Sequence, residues 1–334
     1  AEKLDISRTT VRNAVQALTA CGLFERKIGQ GTFVRFQPTR QHRDRPSRGT
    51  LGYVICKERS DRKPLASESF YFDVFAGIEE EAIRSGRHLL FSYLDDTNPE
   101  EMAAFPAFLD KIDGLVLEEA RNPELVDRIQ AQGLPVVLIG PTSIDRKADM
   151  VTMDLAGGIR TAVQALTAAG HRRIGMINGP LRLDSARVRF TAWQTAMKDA
   201  GLAAEDRYAD GGEGWTAESG FQATQRLLAR SPELTALICA NDLLAIGALS
   251  ALNRAGIKVP EAVSVIGFDD TELARHATPP LSSMRIHSRS MARAAVRRVV
   301  ERIENDDLPP VVIGFPIDLV VRESFRPVEG KEVQ

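Results

Sequence analysis

Cysteine is scarce in this chain: Cys21, Cys56 and Cys239 are its three thiols, far apart and in apolar surroundings. An odd number at such separations builds neither a disulfide frame nor a metal site. It fits reduced core or near-core thiols, and hence a cytoplasmic protein. No apolar run reaches the roughly eighteen residues that a membrane-spanning helix needs. No charged-then-apolar leader opens the sequence either, although it begins at Ala1 in what reads as the middle of a motif. The common catalytic signatures are also missing. There is no G-x-G-x-x-G after the first strand pattern, no P-loop, no G-x-S-x-G elbow and no metal-spaced His/Cys set. His171, in "AAGHRRIGMI", follows a helix stop and reads as a turn or capping residue rather than a base. Asp269 and Asp270 are adjacent carboxylates, but neighbours on a strand end point in different directions. With no nucleophile–base pair, an enzyme is not expected, nor a cofactor or a metal.

At 334 residues the chain has room for two or three domains with substantial cores. Its net charge of −2 conceals an uneven distribution. Residues 1–48 hold ten Lys/Arg against four Asp/Glu, about +6, and the remainder carries about −8. A basic module on an acidic body suggests a polyanion partner for the small part; a solvated, locally basic surface is the plainer alternative.

The basic module has a readable plan. In "DISRTTVRNAVQALTACGLFERKIGQGTFVRF", Ser7 suits a helix N-cap, and Val11, Ala14, Val15 and Leu18 repeat as one buried stripe. Gly22 ends that helix. Arg8, Thr9, Thr10, Arg12, Asn13 and Gln16 occupy the first turn and the other face, all able to donate hydrogen bonds, as a helix entering a major groove requires. "LFERKIGQGTFVRF" then alternates around a Gly29-Gln30-Gly31 tip, predicting a β-hairpin beside the helix. Residues 37–48, "QPTRQHRDRPSR", contain two prolines, four arginines and almost nothing apolar, so they predict an extended tether.

From Leu51 onward short apolar runs alternate with amphipathic segments. The predicted strands are "LGYVICK", "HLLFSYL", "GLVLEEA", "PVVLIGP", "MVTMD", "RIGMING", "TALICAN" and "VSVIGFD". Helical patterns over 73–84, 155–168, 186–200 and 218–228 lie between them. This is the β-α-β plan of an α/β fold with parallel sheets. Strand groups on either side of about residue 156 suggest two lobes, followed by "LSSMRIH", a helix over 290–304 and a final strand "FPIDLVVRES". The stretch 234–270 is the clearest unit: a short strand, then Asn241 and Asp242, a helix stopped at Gly256, and a second strand ending at Asp269. Open α/β sheets hold ligands at the C-terminal ends of their strands, so polar residues there are expected to face a crevice. Asn241 offers a donor and an acceptor, Asp269 an acceptor for hydroxyls, and Asp242 is expected to cap the following helix.

Two resemblances sharpen this reading. On "SRTTVRNAVQAL" and "GLFERKIGQGTFV", residues 1–36 resemble the second half of a GntR-family winged helix-turn-helix. The resemblance implies operator DNA contact by Ser7, Arg8, Thr9, Thr10 and Arg12 from the helix and by Gln30 and Gly31 from the wing. The family's first helix and most of its second have no counterpart ahead of Ser7, so the head is expected to be partial. On "VTMDLAGGIRTAVQALTAAGHRRIGMING", "SARVRFTAWQTAMKDAGL", "LICANDLLAIGALSALNRAGIKVPEAVSVIGFDD", "TPPLSSMRI" and "LVVRES", residues 49–326 resemble the effector domain of the LacI/GalR family, a periplasmic-binding-protein-like fold. The combination is similar to regulators of the arabinose-repressor type. Such a fold implies a first lobe over about 49–155 and 288–310 and a second over about 156–287 and 311–326. It also implies ligand contact by Arg189, by Trp215 against a sugar face, and by Phe70 and Tyr71 from the first lobe. For Trp215, Phe70 and Tyr71 core packing is the alternative; for Asp154 it is helix capping, alone or together with a ligand role; Arg187 is assigned to the surface. The expectation is a homodimeric transcriptional repressor, without membrane contact, whose grip on operator DNA is set by a small polar effector, most simply a sugar. A sugar-binding protein of transport is the alternative, and the winged helix argues against it.

Overall fold

The computed structural model describes Val15 and residues 24–27, 31–34, 47–140 and 148–328. Strands β1 (Phe24–Lys27) and β2 (Gly31–Val34) pair antiparallel, with Lys27 opposite Gly31 and Phe24 opposite Val34. The two strands of the expected hairpin are therefore present, and Gly31 belongs to the second of them. The other residues expected to touch DNA, Ser7, Arg8, Thr9, Thr10, Arg12 and Gln30, lie outside the described residues, as does most of the tether. Where the tether meets the body, Asp113 gathers it: its carboxylate accepts from Ser47 Oγ (3.0 Å) and from the backbone N–H of Arg48 and Gly49.

Burial on both faces makes most of the body's inner strands short and apolar, as parallel sheets require. The first sheet contains β3 (Thr50–Cys56), β4 (His88–Leu94), β5 (Gly114–Glu118), β6 (Val136–Ile139), β7 (Asp149–Met153) and β13 (Val312–Phe315), in the order β13-β7-β6-β5-β3-β4, every pairing parallel. The second contains β8 (Ile174–Asn178), β9 (Ala209–Gly211), β10 (Ala236–Cys239), β11 (Ser264–Asp269), β12 (Ser282–Ile286) and β14 (Ile317–Val320). Its order is β14-β12-β11-β10-β8-β9, with β14 alone antiparallel to its neighbour. The longer helices are α1 (Ser69–Arg84), α2 (Pro123–Ala131), α3 (Leu155–Ala168), α4 (Asp184–Asp199), α5 (Ala217–Arg230), α6 (Asp242–Arg254) and α7 (Ser288–Glu304).

The chain passes between the lobes at Asp154, at His287 and at Pro316. The last crossing corrects the expected boundary, which gave 311–326 to the second lobe. Residues 312–315 pair with β7 of the first sheet, and only from Ile317 does the chain join β12 of the second. Pro316 is the reason: it has no N–H for a ladder, so the chain breaks there and is handed from one sheet to the other.

Close helix packing in the second lobe rests on a glycine exchange. A Cβ on Gly247 of α6 would lie 1.9 Å from Ala217 O, and one on Gly220 of α5 would lie 2.1 Å from Leu244 O. Trp193 on α4, fully buried, fills the centre of that lobe. His171 takes the expected capping role, its backbone N–H donating to Leu166 O (3.0 Å) at the end of α3. It is buried, with Nδ1 3.1 Å from Thr235 Oγ1 and Nε2 3.1 Å from Arg326 O, so it ties the C-terminal segment to the second lobe. Burial holds its pKa below the ordinary value.

Candidate functional site

The C-terminal strand ends of both sheets open on one cavity of about 610 Å³ between the lobes. From the first lobe, Lys57 follows β3, Glu119 and Arg121 follow β5, and Phe70 and Tyr71 lie in the first turn of α1. From the second lobe come Ser185 and Arg189 on α4, Trp215 ahead of α5, Asn241 and Asp242 after β10, and Asp269 at the end of β11.

Six of the seven expected ligand residues meet here: Phe70, Tyr71, Arg189, Trp215, Asn241 and Asp269. Asp154 does not. It is exposed and accepts from Gly157 N (2.8 Å) as the N-cap of α3, the capping role named for it, and it lies beside the cavity wall rather than in it. The capping role expected of Asp242 falls to Asn241, and Asp242 is held by other protein groups. Asn241 is the cap of α6, accepting from Leu244 N (2.8 Å), and its Nδ2 donates to Trp215 O (3.2 Å). Asp242, buried, accepts from Thr271 N (2.7 Å), Thr271 Oγ1 (2.9 Å) and Ser283 Oγ (2.6 Å). Burial nevertheless lifts its pKa to about 6. The capping oxygen must reach back over the first turn from a residue in extended backbone, which Asn241 has and Asp242, already helical, lacks.

Trp215 is positioned from behind by Gly179: a Cβ there would come within 2.4 Å of its ring. Arg189 lies between this indole and the phenyl ring of Phe268, its guanidinium carbon 5.6 Å and 4.8 Å from the two ring centroids. Its Nη1 donates to Ser185 O (3.3 Å), while its buried Nε has no partner. Arg189 is 6% exposed and forms no ion pair among the described residues. Burial draws its pKa down, and the charges of Asp269 and Glu119 oppose that.

Asp269 and Asp270 do diverge, both in left-handed backbone at φ +104° and +56°. Asp270 turns inward to Arg285 (2.7 Å) and Arg322 (2.5 Å). Asp269 faces the cavity and accepts no hydrogen bond through its side chain from any described residue. Burial first, and the neighbouring Asp242 carboxylate second, raise its pKa well above the usual range, against the pull of Arg189.

The first-lobe wall holds groups that the sequence reading passed over. Lys57 pairs with Glu68 (2.6 Å) and lies 3.9 Å from the Tyr71 ring centre; Phe70 and Tyr71 meet edge to face at 5.4 Å. Arg121 is held by Glu58 (2.8 Å) and Asp96 (3.1 Å). Glu119 stands at φ +57°, and burial raises its pKa while Arg189, Lys57 and Arg121 moderate the rise. Behind it Glu118, at 1% exposure, accepts from the Tyr53 hydroxyl, and burial pushes its pKa up to about 8. Lys57 and Glu119 sit at strand ends, so the rule that selected Asp269 applied equally to them. A salt bridge also spans the mouth, Arg182 of the second lobe to Asp61 of the first at 2.5 Å. No local pattern announces a pair 121 residues apart.

Two parallel-stranded lobes joined by three crossings, with a polar and aromatic cleft between them, define a periplasmic-binding-protein-like ligand domain. A family model described as a periplasmic binding protein-like domain matches residues 163–325. The HTH-type transcriptional regulator CelR of Thermobifida fusca is 31% identical over 293 residues, covering 86% of this chain and 85% of CelR. The HTH-type transcriptional repressor PurR of Haemophilus influenzae is 32% identical over 272 residues, 78% of this chain and 80% of its own. A solved complex of CelR with cellobiose aligns at a TM-score of 0.75 and 27% identity, over 96% of this chain and 92% of that one. The lac repressor dimer bound to operator shares the fold, with a TM-score of 0.73 at 23% identity, over 87% of this chain and 99% of that one. The chain belongs to the LacI/GalR family of HTH-type transcriptional regulators.

Proposed function

We propose that this protein is a homodimeric, cytoplasmic repressor that binds operator DNA through residues 1–36 and releases it when a small neutral polyol, most simply a sugar, enters the interlobe cleft. The body binds its effector and carries out no turnover. Arg189 and Asp269 are the polar contacts of the second lobe, Trp215 the flat apolar surface for sugar C–H groups, and Phe70 and Tyr71 the opposing cover. Asn241 contributes chiefly by holding Trp215 and α6. One observation carries this reading: a buried guanidinium with an unpartnered Nε and a half-buried carboxylate, that of Asp269, which accepts from no described residue, line the same cleft. Buried polar groups are ordinarily paired, and a hydroxylated guest would pair both. In the head, Ser7, Arg8, Thr9, Thr10 and Arg12 are assigned to the major groove and Gln30 and Gly31 to the adjoining backbone.

The test is a thermal-shift panel of pentoses, hexoses, disaccharides, sugar acids and purines on the wild-type chain and on Asp269→Asn. A neutral sugar should raise the melting temperature of the wild type and leave the variant unmoved. A shift of equal size in both proteins would remove Asp269 from the site.

A further inference from the structure

Most charged groups in the cleft are already engaged. Lys57 is held by Glu68, Arg121 by Glu58 and Asp96, Arg182 by Asp61, and Asp242 by three donors. Lys63 and Glu213, of opposite sign, are exposed at the rim. Three groups inside make neither an ion pair nor a full set of hydrogen bonds among the described residues: Arg189 and Asp269 from the second lobe, and Glu119 from the first. Glu119 and Asp269 occupy corresponding places, each at the C-terminal end of a central strand, each in left-handed backbone that a non-glycine residue adopts at a cost. At each position backbone strain is combined with a half-buried carboxylate that accepts no hydrogen bond from a described residue. Such positions are kept where a ligand supplies what the fold does not.

We infer that Glu119 is the first-lobe acceptor for the effector and determines its specificity: the guest presents hydroxyl donors to Glu119 on one side and to Asp269 and Arg189 on the other. This rests on the effector-binding reading above and goes further in naming a residue from the opposite lobe and the charge of the guest. Two acids able to accept hydroxyl donors and one guanidinium able to donate to an oxygen match a neutral polyhydroxylated molecule better than a sugar acid or phosphate ester, whose anionic group would face both acids. Because the acceptors belong to different lobes, a ligand that reaches both also holds the lobes together, the differential contact that a conformational response requires.

The experiment is isothermal titration of the full chain with glucose, arabinose, cellobiose, gluconate and adenine, then with monodeoxy analogues of the tightest binder. The proteins are wild type, Glu119→Gln, Glu119→Asp and Asp269→Asn, each checked by circular dichroism and melting. A neutral sugar should bind the wild type at least about tenfold more tightly than gluconate. Removing one particular hydroxyl should cost the wild type about ten- to a hundredfold, the scale of a hydrogen bond to a charged acceptor. Glu119→Gln should bind the parent sugar about tenfold more weakly and lose most of its discrimination against that analogue, which a purely structural role would not do. Glu119→Asp, keeping the charge but one methylene shorter, covers the case in which the Gln variant misfolds. Binding lost in Asp269→Asn but undiminished in Glu119→Gln overturns the role of Glu119 and leaves the proposed function standing. Tightest binding of gluconate or adenine overturns the neutral-guest assignment, and no binding of any neutral sugar to the wild type overturns both readings together.

Discussion

Replacing Glu118 by Gln should change how stability depends on pH, and the size of the change follows from where Glu118 sits. The residue is buried beneath the cleft, and its pKa moves from an ordinary 4.5 to about 8 because burial penalises the charged carboxylate. Glu119 and Glu68 add to the rise, while the Tyr53 hydrogen bond and the charge of Lys57 oppose it. Below 4.5 the carboxyl is protonated in folded and unfolded chains alike, and this group leaves stability independent of pH. Between 4.5 and about 8 the folded chain keeps the proton and the unfolded chain loses it, so stability falls as pH rises through that window. One proton corresponds to about 1.4 kcal/mol per pH unit, or about 3 kcal/mol between pH values of about 5 and 7.5. Gln cannot titrate but still offers Tyr53 an acceptor, so the difference between the two proteins isolates this proton. Urea denaturation across that range should show Glu118→Gln gaining about 3 kcal/mol on the wild type as pH rises. Parallel stability curves, or a wild type that gains on the variant, would refute the reasoning.

Two further changes probe the cleft. Gly179→Ala places a methyl group within 2.4 Å of the Trp215 ring. It should displace the indole, weakening effector binding about tenfold in titration calorimetry at little cost to the melting temperature. Arg182→Ala removes the interlobe bridge to Asp61, whose side chains are 45% and 40% exposed. Exposed pairs contribute only about 0.2–1 kcal/mol, so effector release in stopped flow should quicken by about two- to fivefold, and high salt should narrow the difference.

What could be read from the residues, and what could not, divides along physical lines. Eight apolar runs from "LGYVICK" to "VSVIGFD" all became strands of the two sheets, because strands buried on both faces are written as uninterrupted apolar segments. The short β9 passed unnoticed, since three residues with only Asp210 buried carry no such run. The predicted final strand, "FPIDLVVRES", takes in β14 but only Phe315 of β13, whose other residues lie ahead of it and alternate between exposed and half-buried. Strand-end polarity pointed to Asn241 and Asp269, and the family likeness to Arg189 and Trp215. Which of Asn241 and Asp242 would cap the helix turned on one backbone angle and on two donors, Thr271 and Ser283, far along the chain. Glu119 was legible by the same strand-end rule and was passed over beside Glu118. Sequence alone does not say that one of these adjacent acids turns into the core and the other toward the cleft.

The central claim is that a guest between the lobes alters the grip on DNA without being altered itself. Operator affinity of the dimer, measured by gel shift with and without the sugar selected by titration, tests it directly. The wild type should lose about 5- to 150-fold in affinity, a coupling of about 1–3 kcal/mol. Asp269→Asn should bind operator equally well with and without the sugar, and the sugar should be recovered chemically intact. An unchanged wild-type affinity at saturating sugar, or a consumed sugar, would contradict the account.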